Sequence, residues 1–237
     1  REILKFGINK FIEECRRYVE ETSPEWKWYI DHIGRWVDFD HAYRTMDLKY
    51  METVIWVFKR LYDKGLIYKG NRVSLFCPRC STPVSNFEIA MDDSYAMMRD
   101  PAVTVKFRLK GKKFKDTFIL AWTTTPWTLP SNRALVVDPK ENYIMVKLNG
   151  ERLILAKKRE RSTLASEKTQ HVEEFTGRKL LGLAYEPLYD FFPPNKNDFK
   201  IYSFEGMVNM NEGTGVVHSA PGFGEIDTEM GKHYELT

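Results

Sequence analysis

Residues 121–132 read AWTTTPWTLPSN and directly follow an apolar, strand-like run, TFIL, at positions 117–120. Pro126 and Pro130 cannot donate a hydrogen bond to a neighbouring strand, so they end the pairing and stiffen the exit from the strand. We therefore predict a rigid turn with threonine hydroxyls on one side and indole faces on the other. Such a surface can hold a small apolar group and hydrogen-bond a polar group beside it. The alternative is a threonine-rich strand end that only packs.

The composition allows a folded core but sets no strong preference for a partner. The chain has 237 residues, of which 43% are hydrophobic, and a formal charge of +3. That length suits one large domain or two ordinary ones, and any RNA contact has to come from local patches. No apolar run approaches the ~20 residues of a membrane span, so we expect no membrane contact.

The start of the chain and its cysteines indicate a cytoplasmic piece of a larger protein. The start at Arg1 is neither a methionine nor a signal peptide, so we expect a piece of a longer chain. The three cysteines fit a reducing compartment better than a disulfide scaffold. We therefore predict a cytoplasmic protein, and we expect it to be a monomer.

The N-terminal part of the chain follows a helical period. Apolar residues recur at spacings of three and four from residue 3 to about residue 21, which predicts one amphipathic helix. Cys15 lies on that apolar stripe, so we expect a buried thiol in the core. A second helix begins after the capping residue Ser23. A long third helix runs from about 47 to 63, and Gly65 ends it.

From about residue 100 the pattern changes to short alternating strands, separated by Gly, Pro and Asn at intervals typical of a barrel. The polar segment 157–168 predicts a short exposed helix or a loop. The change of pattern near residues 90–100 predicts an α+β chain whose second part is a mixed, β-barrel-like domain. The predicted strands are 102–109, 114–121, 133–137, 143–148, 152–156, 200–204 and 215–219, preceded by two shorter ones at 66–68 and 73–76.

Cys77-Pro78-Arg79-Cys80 has the spacing of a zinc knuckle, because two thiolates separated by two residues can bind one tetrahedral Zn²⁺. A structural zinc site needs four protein ligands, and the chain has no second pair of cysteines. We therefore expect either a zinc site completed by residues beyond Thr237 or a half-site without metal. A redox dithiol is the weaker alternative, because no thioredoxin-like βαβ pattern surrounds the pair.

Residues 213–227, GTGVVHSAPGFGEID, form a second informative stretch, with a glycine turn, a short strand and a glycine-rich loop that leads into a helix. It is not a phosphate-binding loop, because no Gly-Lys-Ser/Thr follows. His218 is predicted at the end of the strand and Asp227 near the start of the helix. A carboxylate held there can bind a primary ammonium, and an imidazole can shape a pocket or orient water. The alternatives are a helix-capping Asp227 and a His218 that only packs.

Taken together, these stretches resemble the isoleucyl-tRNA synthetase family of class I. Residues 121–132 resemble its threonine-rich editing motif, where the valine and leucine relatives carry a Thr-Thr-Arg-Pro type sequence, and residues 213–227 resemble its second editing motif. GRWVDFDHAYRTMDLKYMETV at 34–54 and KGLIYKGNRVSLFCPRCSTPVSNFE at 64–88 are similar too, in the same order along the chain. The resemblance covers nearly the whole chain.

The resemblance implies a division of the chain at about residue 94. Residues 1–94 would be a helical part of the catalytic body with the CPRC junction, and residues 95–237 would be the inserted editing (CP1) domain, incomplete at its C-terminal end. The family attaches isoleucine to tRNA(Ile) with ATP and Mg²⁺, and its ATP-binding segments would lie outside this chain. Zn²⁺ would bind in the full-length protein, and only half of its site, expected to be empty, would lie here.

The resemblance also assigns roles to the two motifs. The editing region would hydrolyse Val-tRNA(Ile) or valyl-adenylate by attack of a positioned water, with the acceptor end of tRNA(Ile) and valyl-adenosine as its partners. Asp227 would hold the α-ammonium of the substrate, and Trp127 and His218 would form the wall of the side-chain pocket. The other assigned residues are Thr123, Thr124 and Thr125, which would bind the terminal adenosine and order the water, and Thr128 and Asn132, which would support the wall.

Two alternatives compete with this interpretation. The first is a non-catalytic tRNA-binding or zinc-junction module, in which the pocket is only a binding surface. The second is the editing domain of a valine or leucine enzyme, which predicts an arginine in the threonine motif where this chain has Thr125-Pro126-Trp127.

Overall fold

The computed structural model describes residues 2–164 and 168–237 and divides the chain into two units. The first unit ends at Gly70 and the second runs Asn71–Thr237. Helices dominate the first unit and strands the second, which confirms the predicted α+β class. This division lies ahead of the Cys77–Cys80 motif, whereas the boundary implied by the resemblance lies at residue 94. That functional boundary stays a prediction.

The first unit consists of helices joined by turns. They are α1 (Glu2–Phe6), α2 (Ile8–Thr22), α3 (Glu25–His32) and α4 (Leu48–Asp63). Gly7, with a φ of 98°, separates α1 from α2, so the single helix predicted from residue 3 is in fact two helices. Gly65, with a φ of 69°, lies in the left-handed conformation just beyond α4, as predicted for its C-terminal cap.

The apolar stripes of these helices lie on the surface of the first unit. None of residues 2–70 is buried, and Phe11 on α2 is 40% exposed. Cys15, predicted to be a buried thiol, is exposed. The prediction is wrong for this unit because no other element within residues 2–70 covers the stripe of α2, so a helical period does not by itself lead to burial.

The second unit carries all the strands that the structure describes. Its strands are β1 (Leu75–Cys77), β2 (Thr82–Val84), β3 (Val103–Arg108), β4 (Thr117–Thr123), β5 (Ala134–Val137), β6 (Asn142–Leu148), β7 (Glu151–Ala156), β8 (Gln170–Thr176), β9 (Lys200–Tyr202) and β10 (Val216–Ser219). Its helices are α5 (Asn86–Ile89), α6 (Glu160–Leu164) and α7 (Glu225–His233). The strand predicted at 66–68 is absent, and the one predicted at 73–76 begins at Leu75.

These strands form one hairpin and two larger sheets. β1 and β2 pair as an antiparallel hairpin. The larger sheet has the order β3-β4-β7-β6-β8, in which β4 and β7 are parallel and the other neighbours antiparallel. The smaller sheet has the order β10-β5-β9, with β5 parallel to β9 and antiparallel to β10. Both sheets are open at the residues described, so the barrel-like closure suggested by the strand spacing is not formed.

The edge strand β8 is the one long strand that the sequence pattern did not predict. Its sequence is QHVEEFT, and Phe175 is its only buried residue. An edge strand that faces water needs little apolar surface, and charged side chains protect it from pairing with other chains. Of the polar segment predicted at 157–168, α6 and the short 3₁₀ turn before it are helical, and residues 165–167 lie outside the described residues.

Strand β4 is buried on both faces, and this fixes the position of the threonine stretch that follows it. Ile119 and Ala121 pack into a core that is shared by both sheets, whereas Phe118 and Leu120 pack into a second cluster on the opposite face. Full burial of a large apolar side chain contributes about 1.5–3 kcal/mol. The strand therefore delivers Thr123 to the edge of the core as part of a rigid framework. None of the described helices is both long and apolar enough to cross a membrane.

Candidate active site

A cleft lies where β4 leaves the larger sheet and faces β10 and the start of α7. Its cavity volume is about 260 Å³, which is small for a ligand site, since sites for drug-sized molecules are about 300–1,000 Å³. The cleft brings together two stretches that lie about ninety residues apart in the sequence. Of the predicted site residues, it is lined by Thr123, Thr124, Thr125, Thr128, His218 and Asp227.

The threonine turn is held by its own hydroxyl groups. The backbone N–H of Thr125 donates to Thr123 Oγ1 at 3.0 Å, and the two hydroxyl oxygens lie 3.2 Å apart. Pro126 then begins a 3₁₀ turn that runs to Ser131, in which Thr128 Oγ1 donates to the backbone carbonyl of Thr125 at 2.8 Å. Within the described residues the hydroxyl of Thr124 has no hydrogen-bond partner and is exposed. The turn therefore presents one free hydroxyl on a fixed backbone.

His218 is a buried member of the cleft wall. It lies on β10, and its Nε2 is 2.9 Å from Thr128 Oγ1. Its Nδ1 lies 3.5 Å from Nδ2 of Asn132. Burial lowers the pKa of His218 below its ordinary value, and the negative charge of Asp227 opposes that shift in part. The imidazole is therefore neutral at pH 7, and it can donate and accept hydrogen bonds without bringing a positive charge into the cleft.

Asp227 stands in the first turn of α7, where the positive end of the helix dipole favours a carboxylate. Its Oδ1 accepts a hydrogen bond from the backbone N–H of Ala220 at 3.0 Å, which fixes the side chain. Within the described residues its Oδ2 has no hydrogen-bond partner. A Cβ at Gly224 would come within 2.5 Å of that oxygen, so glycine is required there for this carboxylate orientation. One oxygen is thus anchored and the other is available to a cationic ligand.

Asn132 and Trp127 belong to the same motif, but Asn132 is buried and Trp127 is exposed. Asn132 is buried behind the cleft, where its Nδ2 donates to the carbonyl of Ala134 at 2.9 Å, in keeping with the supporting role that the resemblance assigns to it. Trp127 is 62% exposed and is not among the residues that line the cleft. The 3₁₀ turn that begins at Pro126 carries the indole outward, so the structure does not bring it into the pocket wall.

Sequence reasoning missed several residues that complete the site. Trp122, one residue before the threonines, lines the cleft, as does Glu212 just before the second motif. Tyr185 lies behind the cleft, and its hydroxyl donates to Asn132 Oδ1 at 2.6 Å. Trp122 lies within the first motif and Glu212 lies next to the second, so their positions in the sequence could have indicated them. No feature of the neighbouring sequence indicates Tyr185, which lies 53 residues along the chain from Asn132.

The Cys77–Cys80 motif forms the turn of the β1–β2 hairpin, with Cys77 half-buried and Cys80 exposed. The backbone N–H of Cys80 donates to Cys77 Sγ at 3.4 Å. This bond, together with that from the thiol of Cys80, lowers the pKa of the Cys77 thiol. The pKa of Cys80 is raised because its own thiol donates to the sulfur of Cys77.

The two thiols fit one half of a tetrahedral zinc site. Among the residues described, no group of three or more His, Cys, Asp or Glu side chains could hold a metal ion. The donor set in this part of the chain is therefore incomplete, and zinc binding stays a prediction that requires further ligands.

Comparison of the sequence with known proteins identifies its family. The chain is 44% identical over 239 residues to an isoleucine--tRNA ligase 2 of Pseudomonas fluorescens, covering 100% of this chain and 22% of the relative. It is 43% identical over 254 residues to an isoleucine--tRNA ligase of Corynebacterium diphtheriae, covering 99% of this chain and 24% of the relative. The chain thus spans less than a quarter of the length of these relatives.

Among solved structures, the editing domain of the P. knowlesi cytosolic leucyl-tRNA synthetase is similar to 52% of this chain, which covers 59% of that one, with 17% identity and a TM-score of 0.42. The family model described as tRNA synthetases class I (I, L, M and V) matches residues 1–190. That match covers most of the chain, and it spans the helical unit, the cysteine motif and the threonine turn. The chain therefore belongs to the class I tRNA synthetases of the isoleucine, leucine, methionine and valine group.

Proposed function

We propose that the cleft is an editing site that hydrolyses valine from mischarged Val-tRNA(Ile), or from valyl-adenylate, by attack of water on the aminoacyl ester or the mixed anhydride. The observation that carries this proposal is the assembly of Thr123–Thr125, His218 and Asp227 around one small cavity. Relatives at 43–44% identity are isoleucine--tRNA ligases, which supports isoleucine as the cognate amino acid of the whole protein.

A second site is needed because the first one cannot reject valine. Valine lacks one methylene group of isoleucine, and that group is worth only about 1–3 kcal/mol in a binding pocket. Isoleucyl-tRNA synthetase is itself the standard illustration of this limit and of double-sieve editing. A second pocket that admits valine and shuts out isoleucine by size would supply the missing discrimination.

Asp227 supplies the recognition of the amino acid. Its free Oδ2 is available for a charge-assisted hydrogen bond with the α-ammonium of the valyl group, and its Oδ1 bond to Ala220 keeps the carboxylate oriented. Fixing the ester in this way removes the entropy cost of orienting it at each turnover. The neutral imidazole of His218 forms part of the wall without repelling the ammonium.

The threonine turn orders the terminal adenosine and the attacking water. The free hydroxyl of Thr124 and the hydrogen-bonded pair Thr123 and Thr125 provide the polar side of the cleft. Among the described residues that line the cleft there is no serine or cysteine, so we infer that water is the nucleophile and that no covalent intermediate forms. A hydroxyl of the terminal adenosine takes the proton from that water and passes its own to the departing ester oxygen, so that the products are valine and a free ribose hydroxyl. Full single-turnover hydrolysis of a substrate with a 3′-deoxy terminal adenosine would contradict this assignment of the proton acceptor.

For the whole protein we propose attachment of isoleucine to tRNA(Ile) with ATP and Mg²⁺, and we expect no activation of isoleucine by the 237-residue chain alone. In the whole protein Cys77 and Cys80 hold a structural Zn²⁺ together with two further ligands. The zinc would fix the turn of the β1–β2 hairpin and takes no part in the hydrolysis.

Deacylation of Val-tRNA(Ile) by the chain and two variants tests the proposal. Asp227→Asn retains an oxygen for the Ala220 N–H but removes the charge, and it should lower kcat/KM about 10- to 100-fold, as expected for a lost hydrogen bond to a charged group worth about 1.5–3 kcal/mol. Glu225→Gln removes a charge from the same first turn of α7, away from the cleft, and should leave the rate within about twofold. If all three proteins bind tRNA but none deacylates it, the cleft is a non-catalytic binding surface.

A further inference from the structure

One buried side chain belongs to the hydrogen-bond network of the cleft without lining it. Tyr185 is fully buried, and its ring packs edge-on against Phe107 and Phe199 at centroid distances of 5.3 and 5.9 Å. Its backbone N–H donates to the carbonyl of Phe199 at 3.0 Å. The ring is therefore fixed, and its hydroxyl points at a single partner, Oδ1 of Asn132, at 2.6 Å.

The orientation of the Asn132 amide follows from its two neighbours. A backbone carbonyl can only accept, so the atom 2.9 Å from the carbonyl of Ala134 must be the nitrogen, and the atom facing Tyr185 is the oxygen. The same nitrogen lies 3.5 Å from both Nδ1 of His218 and the carbonyl oxygen of Ser219, so its second hydrogen is shared between them. Nδ1 therefore faces a donor, which disfavours a proton on that nitrogen.

Thr128 specifies the other side of the imidazole. Its hydroxyl has one hydrogen, which it donates to the carbonyl of Thr125 at 2.8 Å. The lone pairs of Thr128 Oγ1 then face Nε2 of His218 at 2.9 Å, which favours a proton on Nε2. Both sides of the ring thus favour the same neutral tautomer.

We propose that Tyr185 is a positioning residue of the cleft, whose hydroxyl clamps the Asn132 amide and so holds His218 neutral with its proton on Nε2. The charge of Asp227 on α7 favours a protonated imidazole, and Glu212 before β10 lines the same cleft. Burial and the donor at Nδ1 act against protonation. Tyr185 keeps that donor in place, so the cleft does not acquire a positive charge where the ammonium of a substrate would lie.

Loss of the Tyr185 hydroxyl should release this arrangement. In Tyr185→Phe the ring packing is retained, but Oδ1 of Asn132 is left buried without a donor, which is costly. The amide then rotates to find a partner and withdraws Nδ2 from His218. Nδ1 becomes free to take up a proton, so both neutral tautomers are populated and the pKa of His218 rises.

The imidazole ¹⁵N spectrum of the whole 237-residue chain measures this directly. In the wild type we expect His218 at pH 7.5 as the Nε2–H tautomer, and in Tyr185→Phe we expect a mixture of tautomers and a titration midpoint at least half a pH unit higher. The matched control is Tyr202→Phe on β9, which removes a hydroxyl that donates to the carbonyl of Asn197 at 2.6 Å, and it should leave His218 unchanged.

The kinetic part of the test rests on the proposed hydrolytic function and can fail separately. In Tyr185→Phe the acid limb of kcat/KM for Val-tRNA(Ile) deacylation should move to higher pH through a rise in KM, because a protonated His218 repels the substrate ammonium. If the wild type does not deacylate, the proposed function is wrong, and the spectra alone decide the role of Tyr185.

Three results would overturn the role of Tyr185. They are a wild-type His218 with its proton on Nδ1, a doubly protonated His218 at pH 7.5, and a folded Tyr185→Phe with the wild-type tautomer and titration. Should Tyr185→Phe not fold, nuclear Overhauser contacts in the wild type still decide. Contacts from the Tyr185 hydroxyl proton to the Asn132 side chain support the clamp, and their absence contradicts it.

Discussion

The cleft beside β4 and the Cys77–Cys80 hairpin belong to the same unit, but their reactive side chains are held in different ways. The cleft residues come from two distant stretches that the core of two sheets brings together, and His218 in its wall is buried. The two cysteines come from one short turn, lie near the surface and have only their own backbone to position them. The core brings the described residues of the cleft together from distant stretches, whereas the turn supplies only the two cysteines of a larger ligand set.

The largest expected difference between the two regions is in stability. Ile119→Ala removes a fully buried side chain from β4 and should lower the free energy of unfolding by about 2–5 kcal/mol. Phe76→Ala, on the hairpin strand β1, removes a side chain that is 61% exposed and should change it by no more than about 0.5 kcal/mol. Urea unfolding of both variants measures the two values. Equal losses would show that the hairpin is as well packed as the cleft.

The next effect is a pH dependence that comes from the cleft. The pKa of His218 is lowered by burial, so between that value and the ordinary value of about 6.5 the unfolded chain binds a proton that the folded chain does not. Stability should therefore be constant above about pH 6.5 and fall as the pH drops into that window, by at most about 1.4 kcal/mol per pH unit. His218→Gln should remove this component, as measured by unfolding between pH 5 and 7.5. An unchanged slope in the variant would contradict a buried neutral imidazole.

The smallest effect concerns the hairpin thiols. Because the N–H of Cys80 stabilises the thiolate of Cys77, Cys77 should be alkylated by iodoacetamide a few-fold faster than Cys80 at pH 7.5. The variants Cys80→Ser and Cys77→Ser report each thiol separately by mass spectrometry. Neither variant should change deacylation of Val-tRNA(Ile), since the hairpin lies outside the cleft. A faster Cys80 would reverse the assignment of the stabilised thiolate.

The parts of the fold that were predictable are those in which local sequence determines burial. Strands such as β4 and β6 are apolar enough to be recognised from their pattern, and the glycine that ends α4 adopts the predicted left-handed conformation. The polar edge strand β8 gave no such signal, because Phe175 is its only buried residue. The predicted burial of Cys15 was wrong for the opposite reason. An amphipathic period predicts a face that can be covered, but it does not supply the element that covers it.

The candidate site was predictable where its residues cluster in the sequence. The threonine turn and the Gly213–Asp227 stretch were recognisable by their unusual composition, and both line one cleft in the structure. The direction of Trp127 depends on the 3₁₀ turn that follows Pro126, and the contact of Tyr185 with Asn132 depends on how the chain between them folds. Neither property is contained in a short stretch of sequence.

A crystal structure of the chain with a non-hydrolysable valyl-adenosine analogue tests the central claim most directly. We expect the α-ammonium within about 3 Å of Asp227 Oδ2, the valyl side chain against His218 and the adenosine beside Thr123–Thr125. An analogue bound elsewhere, or bound in the cleft with its ammonium turned away from Asp227, would contradict the account.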